Sequence, residues 1–146
     1  MNIVEKLMKF DAGKLAMPTG EVKIRLKKLG GEEFVFPIQA LTPALVGEIS
    51  DEVMDITMRK GKTAKMNLAQ FRAQLRTIVE GCPEVFKNSE LQSRFGAKTP
   101  YELVEKLMLS GEMDILSDAI DALSGYGDNK ESGEDEVLDE SDQIKN

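Results

Sequence analysis

Two amphipathic helices are the clearest elements that the pattern of apolar and polar positions predicts, and both lie within residues 99–126. Thr99, Pro100 and Glu102 form a capping box with proline at the first helical position, so a helix should begin here. Two apolar stripes at helical spacing follow: Leu103, Val104, Leu107 and Met108, then Met113, Leu116, Ala119, Ile120 and Leu123. A Ser-Gly pair separates the stripes, and a second Ser-Gly pair ends the later one. These helices should supply about half of a helical core.

Nearer the start of the chain, the apolar period changes from that of a helix to that of a strand. Apolar residues alternate with basic ones over residues 22–27, and after a Gly-Gly turn the alternation returns at Phe34, Phe36 and Ile38. This pattern predicts a β-hairpin over residues 22–38. Because two strands alone are marginally stable, a helix must pack on the apolar face of the hairpin.

The remaining apolar stripes predict four more helices. They are a short N-terminal helix with Ile3, Val4, Leu7, Met8 and Phe10, a helix from Thr42-Pro43 to about residue 58, a helix capped by Asn67 and stopped by Gly81 and Pro83, and a short helix from Ser89 to Gly96. Residues 59–65 are basic and should form an exposed connector. The predicted fold class is α+β, in which an N-terminal helix and β-hairpin (residues 1–41) pack with a bundle of about four or five helices (residues 42–126) in one domain. Residues 127–146 are expected to be a disordered acidic tail, because few apolar residues remain there.

The composition excludes several kinds of chemistry. Histidine is absent, which removes the commonest general base and metal ligand, and the single cysteine, Cys82, cannot form an internal disulfide. Cys82 ends an apolar stripe and is therefore expected in the core. We recognise no signal peptide or long apolar run, which predicts a cytoplasmic protein that does not interact with membranes.

The formal net charge of −7 is concentrated near the end of the chain. Residues 125–146 hold eight carboxylates and two lysines, a sum of −6, whereas residues 1–30 hold seven basic and three acidic side chains. An excess of +4 is less than a nucleic-acid surface normally carries, so no nucleic-acid partner is expected. The acidic stretch is interpreted as a solvated tail, with docking to a basic partner or mimicry of a nucleic acid as its functional alternatives.

Two motifs suggest ligands but have simpler interpretations. The GKT sequence at 61–63 is similar to the end of a phosphate-binding loop, but Ile56 stands where that motif needs glycine. Residues 128–139 have the outline of a calcium loop, but Lys130 takes a ligand position and no helices flank the loop. We therefore expect no metal ion and no other cofactor.

Paired carboxylates are the remaining candidates for catalysis. Asp51/Glu52 and Asp118/Asp121 could in principle serve a carboxylate-only, metal-dependent hydrolase. Each pair lies on the polar face of a predicted helix, where solvated side chains are the default. The expectation is that the protein is not an enzyme.

Methionines supply the candidate partner-binding surface. The candidates are Met54, Met58 and Met66 around the basic connector, and Met108, Leu109 and Met113 around the Ser-Gly break. Flexible thioether side chains adapt to the apolar face of a partner helix, although ordinary core packing is the alternative.

Three stretches of the chain together carry a family resemblance. They are VEKLMKFDAGKLAMPTGEVKI, KKLGGEEFVFPIQALTPA and NSELQSRFGAKTPYELVEKLMLSGEMDILSDAIDALSGYG. The most distinctive parts are the F-x-F-x-I-x-A-L run that ends at Leu41 and the TPYELVEKL…SGE…LSGYG ending. In these segments the chain resembles the XkdN-like tail assembly chaperones of phages and phage-derived elements in Gram-positive bacteria.

This resemblance implies a helper protein of tail assembly that does not stay in the phage particle. Such a chaperone would bind the long, helical tape-measure protein in the bacterial cytoplasm and keep it soluble until the tail tube polymerises, and the tail-tube protein is a second candidate partner. The alternative is a structural tail or connector component that is retained in the virion.

Overall fold

The computed structural model describes residues 2–60 and 63–126, without the side chains of residues 59, 60 and 63–66. Seven helices and two strands follow one another in this part of the chain: α1 (Ile3–Met8), β1 (Thr19–Leu26), β2 (Glu32–Gln39), α2 (Pro43–Lys60), α3 (Thr63–Gly81), α4 (Pro83–Phe86), α5 (Ser89–Arg94), α6 (Pro100–Leu107) and α7 (Ser110–Leu123). The predicted α+β class is confirmed. The predicted tail, with its calcium-like loop at 128–139, lies outside the described residues.

The predicted hairpin is confirmed and begins three residues earlier than expected. Strands β1 and β2 pair antiparallel along their full length, from Thr19 opposite Gln39 to Leu26 opposite Glu32. Both turn glycines have positive φ, 76° at Gly30 and 75° at Gly31, which other residues rarely adopt. The buried face carries Ile24, Leu26, Phe36 and Ile38.

Two of the predicted helix starts are confirmed, with one difference in a cap. The Thr42 hydroxyl accepts a hydrogen bond from the backbone N–H of Leu45 at 3.2 Å, and the Thr99 hydroxyl accepts one from that of Glu102 at 3.1 Å. The reciprocal half of the second capping box was wrong, because the Glu102 carboxylate accepts from the N–H of Lys98 at 2.7 Å.

Other helix starts and caps differ by a few residues from the predicted ones. Helix α3 begins at Thr63, four residues before the predicted cap at Asn67, so α2 and α3 both extend into the predicted connector. Residues 61 and 62 of that connector, which belong to the GKT motif, lie outside the described residues. The cap of α5 is Asn88, whose side chain accepts from the N–H of Leu91 at 2.9 Å, and not Ser89. Helix α4 was not predicted; its first residue is Pro83, which together with Gly81 was taken only as a stop signal.

The core lies where α7 packs against the hairpin and α3. The rings of Phe36 from β2 and Phe86 from α4 stack with their centres 6.2 Å apart. Cys82 is fully buried among these elements, as predicted. Gly81 lets α3 approach α7 closely, since a Cβ atom there would lie 2.5 Å from Cγ2 of Ile120.

The N-terminal helix was expected to pack with the hairpin and the bundle, and this expectation was wrong. Helix α1 exists, but none of its residues is buried. The core closes through β1, β2 and the later helices, so the apolar side chains of α1 are not needed to complete it.

Candidate partner-binding surfaces

The structure separates the residues around the predicted Ser-Gly break. Met108 and Met113 are each 3% exposed and belong to the core, whereas Leu109 between them is 41% exposed. The two methionine side chains therefore form part of the packed interior, and only Leu109 of this group reaches the surface.

A buried carboxylate explains this arrangement. Glu112, in the first turn of α7, accepts hydrogen bonds from the backbone N–H groups of Leu109 at 2.9 Å and Lys27 at 3.1 Å. The second bond joins the α6–α7 junction to Lys27, the residue that follows β1. The sequence marked Glu112 only as a polar residue beside the stripe, and no local signal could reveal a partner 85 positions away.

The second methionine group lies at the free end of the α2–α3 pair. Met54 and Met58 are 62% and 75% exposed and lie one helical turn apart on α2, and Leu68 of α3 is also exposed. The side chain of Met66 lies outside the described residues. Met54 and Met58 therefore form a small exposed apolar surface, and their role in binding a partner stays a prediction.

The largest group of exposed apolar side chains was missed by the sequence analysis and lies in residues 2–18, here called the arm. Its members are Ile3, Val4, Leu7, Met8, Phe10, Leu15 and Met17, and every residue of the arm is exposed. Their exposed fractions run from 44% at Met17 to 89% at Leu15. The sequence contained the signal, an amphipathic stripe, but the stripe was assigned to the core.

Local hydrogen bonds give the arm its helical shape. The Asn2 side chain accepts from the N–H of Glu5 at 2.8 Å, and the Glu5 carboxylate accepts from the N–H of Asn2 at 3.3 Å, which completes a capping box. The helix nevertheless has only six residues. Isolated helices shorter than about 12–15 residues are marginal in water, so a partner that covers the apolar stripe would stabilise it.

The arm joins the domain at an apolar groove, here called the foot groove. It has a volume of about 370 Å³, and its lining includes Met17, Leu41, Val46, Leu123 and Tyr126. Its walls are held together by Ser124, whose hydroxyl accepts from the N–H of Leu41 at 2.9 Å and donates to the carbonyl of Ile120 at 2.9 Å. The C-terminal end of the arm and the end of α7 thus line the same groove.

The arm and β1 carry a small excess of positive charge, five basic side chains against three acidic ones. Within the described residues, the side chains of Lys6, Lys9, Lys14, Lys23 and Lys27 take part in no ion pair, while the ion pairs that are present join Arg76 to Glu48 and Glu52 and Lys87 to Glu80. An acidic partner could therefore meet these lysines without displacing an existing contact.

One of the predicted carboxylate pairs reaches a polar groove of about 490 Å³ between α3 and α7. Asp121 lines it, and burial, followed by the charge of Asp118, raises the pKa of Asp121. Glu52 instead binds Arg76 at 2.6 Å, and Asp51 is exposed. In the described chain, no group of three or more His, Cys, Asp or Glu residues is placed to hold a metal ion.

None of the helices in the described part of the chain combines the length and apolar character that crossing a bilayer requires.

Comparison with protein families gives a match over residues 4–138 to the phage XkdN-like tail assembly chaperone proteins. The chain belongs to this family. No curated protein and no solved structure matches the chaperone.

The family match includes most of the arm and part of the acidic stretch. It begins within α1, so nearly the whole arm is included, and it continues twelve residues beyond Tyr126. Part of the acidic stretch, which resembled the family least, is therefore within the family match.

Proposed function

We propose that this chaperone binds the tape-measure protein of a phage tail in the bacterial cytoplasm and keeps it soluble until the tail tube polymerises around it. The observation that carries the proposal is the arm, a wholly exposed amphipathic segment in a protein of the tail assembly chaperone family. A long helical client with apolar stripes would aggregate through those stripes, and a second apolar stripe can cover them.

The client would contact the arm first and the α2 methionines second. Burying a Leu, Met or Phe side chain contributes about 1.5–3 kcal/mol, so a few arm residues are enough for a complex of moderate affinity. Moderate affinity suits a chaperone that must release its client to the tail-tube protein. Met54, Met58 and Leu109 remain proposed contacts, while Met108 and Met113 would support the surface from inside.

This function requires no bond to be made or broken, and we propose that the chaperone is not an enzyme. It also predicts that the protein leaves before the particle is complete. Mass spectrometry of purified particles should find the chaperone absent or far below the amount of tail-tube protein. A stoichiometric amount would instead establish the structural role that the sequence left as the alternative.

Co-expression with the cognate tape-measure protein tests the client directly. The informative variant is Leu7→Ser with Met8→Ser, because both side chains are exposed and their loss should leave the core intact. Losing two such contacts should weaken binding by about 3–6 kcal/mol, more than a hundredfold. The matched control is Val35→Ser with Ile115→Ser, which removes two half-exposed apolar side chains elsewhere on the domain.

We expect soluble tape-measure protein with the wild type and with the control, and precipitation with the arm variant. If the arm variant keeps the client soluble, the arm is not the binding surface. A tape-measure protein that stays equally soluble without the chaperone would overturn the proposed function itself.

A further inference from the structure

We propose that two copies of the chaperone associate through β1, whose outer edge pairs antiparallel with the same edge of a second copy. This outer edge, here called the open edge, is the side of β1 that faces away from β2. The two hairpins would then form one four-stranded sheet around a two-fold axis. The contact does not involve the arm, so it does not depend on the proposed client.

The hydrogen-bond pattern of the hairpin shows which backbone groups of β1 are free. The N–H of Ala40 donates to the carbonyl of Pro18 at 2.9 Å, which makes these residues a hydrogen-bonded pair next to the ladder. Because such pairs alternate in an antiparallel ladder, the N–H and C=O groups of Glu21, Lys23 and Arg25 point away from β2. No hydrogen bond from another element reaches these groups within the described residues. Backbone groups without a protein partner are normally hydrated, so the open edge is accessible.

The two edges of the hairpin differ in their capacity to accept another strand. On β2, Pro37 occupies a position whose backbone points outward, because it lies opposite Glu21. Proline has no N–H to donate, and it protects an edge strand against pairing. The sequence of β1 from Thr19 to Leu26 contains no proline. The open edge of β1 is therefore the one that a further strand can extend.

The charges on β1 fit a second copy of the same strand. When β1 pairs antiparallel with itself so that the two Val22 residues lie opposite each other, Glu21 lies opposite Lys23 on both sides of the two-fold axis. Residues with outward backbone groups then also face one another, as hydrogen bonding requires. A charged edge normally opposes pairing, but cross-strand pairs of opposite charge stabilise it. Neither side chain forms an ion pair within the described residues, so both are available.

The neighbouring registers are less favourable. A shift by two residues in one direction places Lys23 opposite Lys23, and a shift in the other direction places Glu21 opposite Glu21. Like charges directly opposite each other destabilise a sheet. A shift by one residue brings outward backbone groups opposite inward ones, which cannot form the ladder. Charge and hydrogen bonding therefore select the same register.

Helix α7 places an apolar side chain beside the open edge. Its Glu112 accepts from the N–H of Lys27, which follows one end of β1. At the other end, a Cβ atom at Gly20 would lie 3.6 Å from Cδ1 of Leu123. Ile115 lies between Glu112 and Leu123 on the same face of the helix and is 50% exposed. Pairing of two open edges would bring the two α7 helices together and cover Ile115.

Sedimentation equilibrium of the full-length protein over a range of concentrations tests the association. We expect a monomer–dimer equilibrium for the wild type. Glu21→Lys and Lys23→Glu each place like charges opposite each other twice, so each should weaken the dimer at least about tenfold. An equimolar mixture of these two variants restores both opposite-charge pairs and should associate as a mixed dimer. The double variant should dimerise like the wild type for the same reason.

A backbone substitution tests the edge without relying on charge. Lys23→Pro removes an N–H in the middle of the open edge and should also weaken the dimer. The matched control is Val35→Pro, because Val35 lies opposite Lys23 in the hairpin and its N–H points outward from β2. This control should dimerise like the wild type. Circular dichroism checks that both proline variants are folded.

Four results would overturn the proposal. They are a protein that stays monomeric at every concentration, a dimer that neither charge reversal nor Lys23→Pro weakens, a mixture of the two charge variants that stays monomeric, and a dimer that Leu7→Ser with Met8→Ser removes. The last result would show that the arms associate instead of the open edges. The client assay is independent, because its failure leaves the sedimentation result unchanged.

Discussion

The close approach of α3 and α7 gives the sharpest test of the packing. A Cβ atom added at Gly81 would lie 2.5, 2.6 and 2.8 Å from Cγ2, Cδ1 and Cγ1 of Ile120. Carbon atoms in contact normally lie about 3.5–4.0 Å apart, so each of these pairs would overlap by roughly 1 Å. Ile120 is fully buried.

The magnitude follows from two opposing effects. Overpacking of a filled core costs about 1–3 kcal/mol. In the interior of a helix, alanine is favoured over glycine by roughly 1 kcal/mol, but at the last helical position only part of this free energy is gained. Gly81→Ala should therefore destabilise the domain by about 2 kcal/mol. Gly47→Ala is the control, since a Cβ atom there has no neighbour within 4 Å in the interior of α2, and it should stabilise by about 0.5–1 kcal/mol.

Urea unfolding followed by circular dichroism measures both variants. The expected difference of about 3 kcal/mol corresponds to a separation of the midpoints by about 1–2 M urea. In an Ile120→Ala background the three overlapping atoms are gone, so Gly81→Ala should cost almost nothing there. If Gly81→Ala is as stable as Gly47→Ala, or if its cost is unchanged without the Ile120 side chain, the close approach is not real.

Three further predictions concern buried polar groups, and urea unfolding checks each. Glu112→Ala removes two charge-assisted hydrogen bonds and should destabilise by about 2–4 kcal/mol, with Glu112→Gln costing less; equal stability of Glu112→Ala and wild type would refute it. Burial raises the pKa of the Cys82 thiol to about 12 from its ordinary 9.0, so the folded state keeps a proton that the unfolded state loses. Stability should fall above pH 9 by up to about 1.4 kcal/mol per pH unit, and Cys82→Ala should lack this contribution. The raised pKa of Asp121 makes its charged form unfavourable in the folded state, so Asp121→Asn should stabilise the protein at pH 7 and lose this advantage below pH 3.8.

Elements with their own caps and turns could be predicted from the sequence. The Thr99 cap, the Gly-Gly turn and the stripes of α6 and α7 all depend on residues a few positions apart, and these were confirmed. The predicted start of α3 was wrong. Asn67 can either cap a helix that begins after it or lie within a helix that begins earlier, and the local sequence does not distinguish these two outcomes.

The binding surfaces could be predicted only in part, because burial depends on distant contacts. A methionine at helical spacing is equally compatible with the interior and with a surface. Met108 and Met113 are buried beside Glu112, which binds the backbone of the distant Lys27, whereas Met54 and Met58 are exposed on α2. The sequence specified the side chains, but the assembled hairpin decided which of them remained outside.

The same reasoning applies to the arm. An amphipathic stripe near the start of a chain is normally assigned to the core, and the core here closes without it. Folding therefore leaves the apolar side chains of residues 2–18 exposed. Substitutions there should not unfold the domain. A chaperone benefits from this separation, because the residues that bind and release a client are not the residues that keep the chaperone folded.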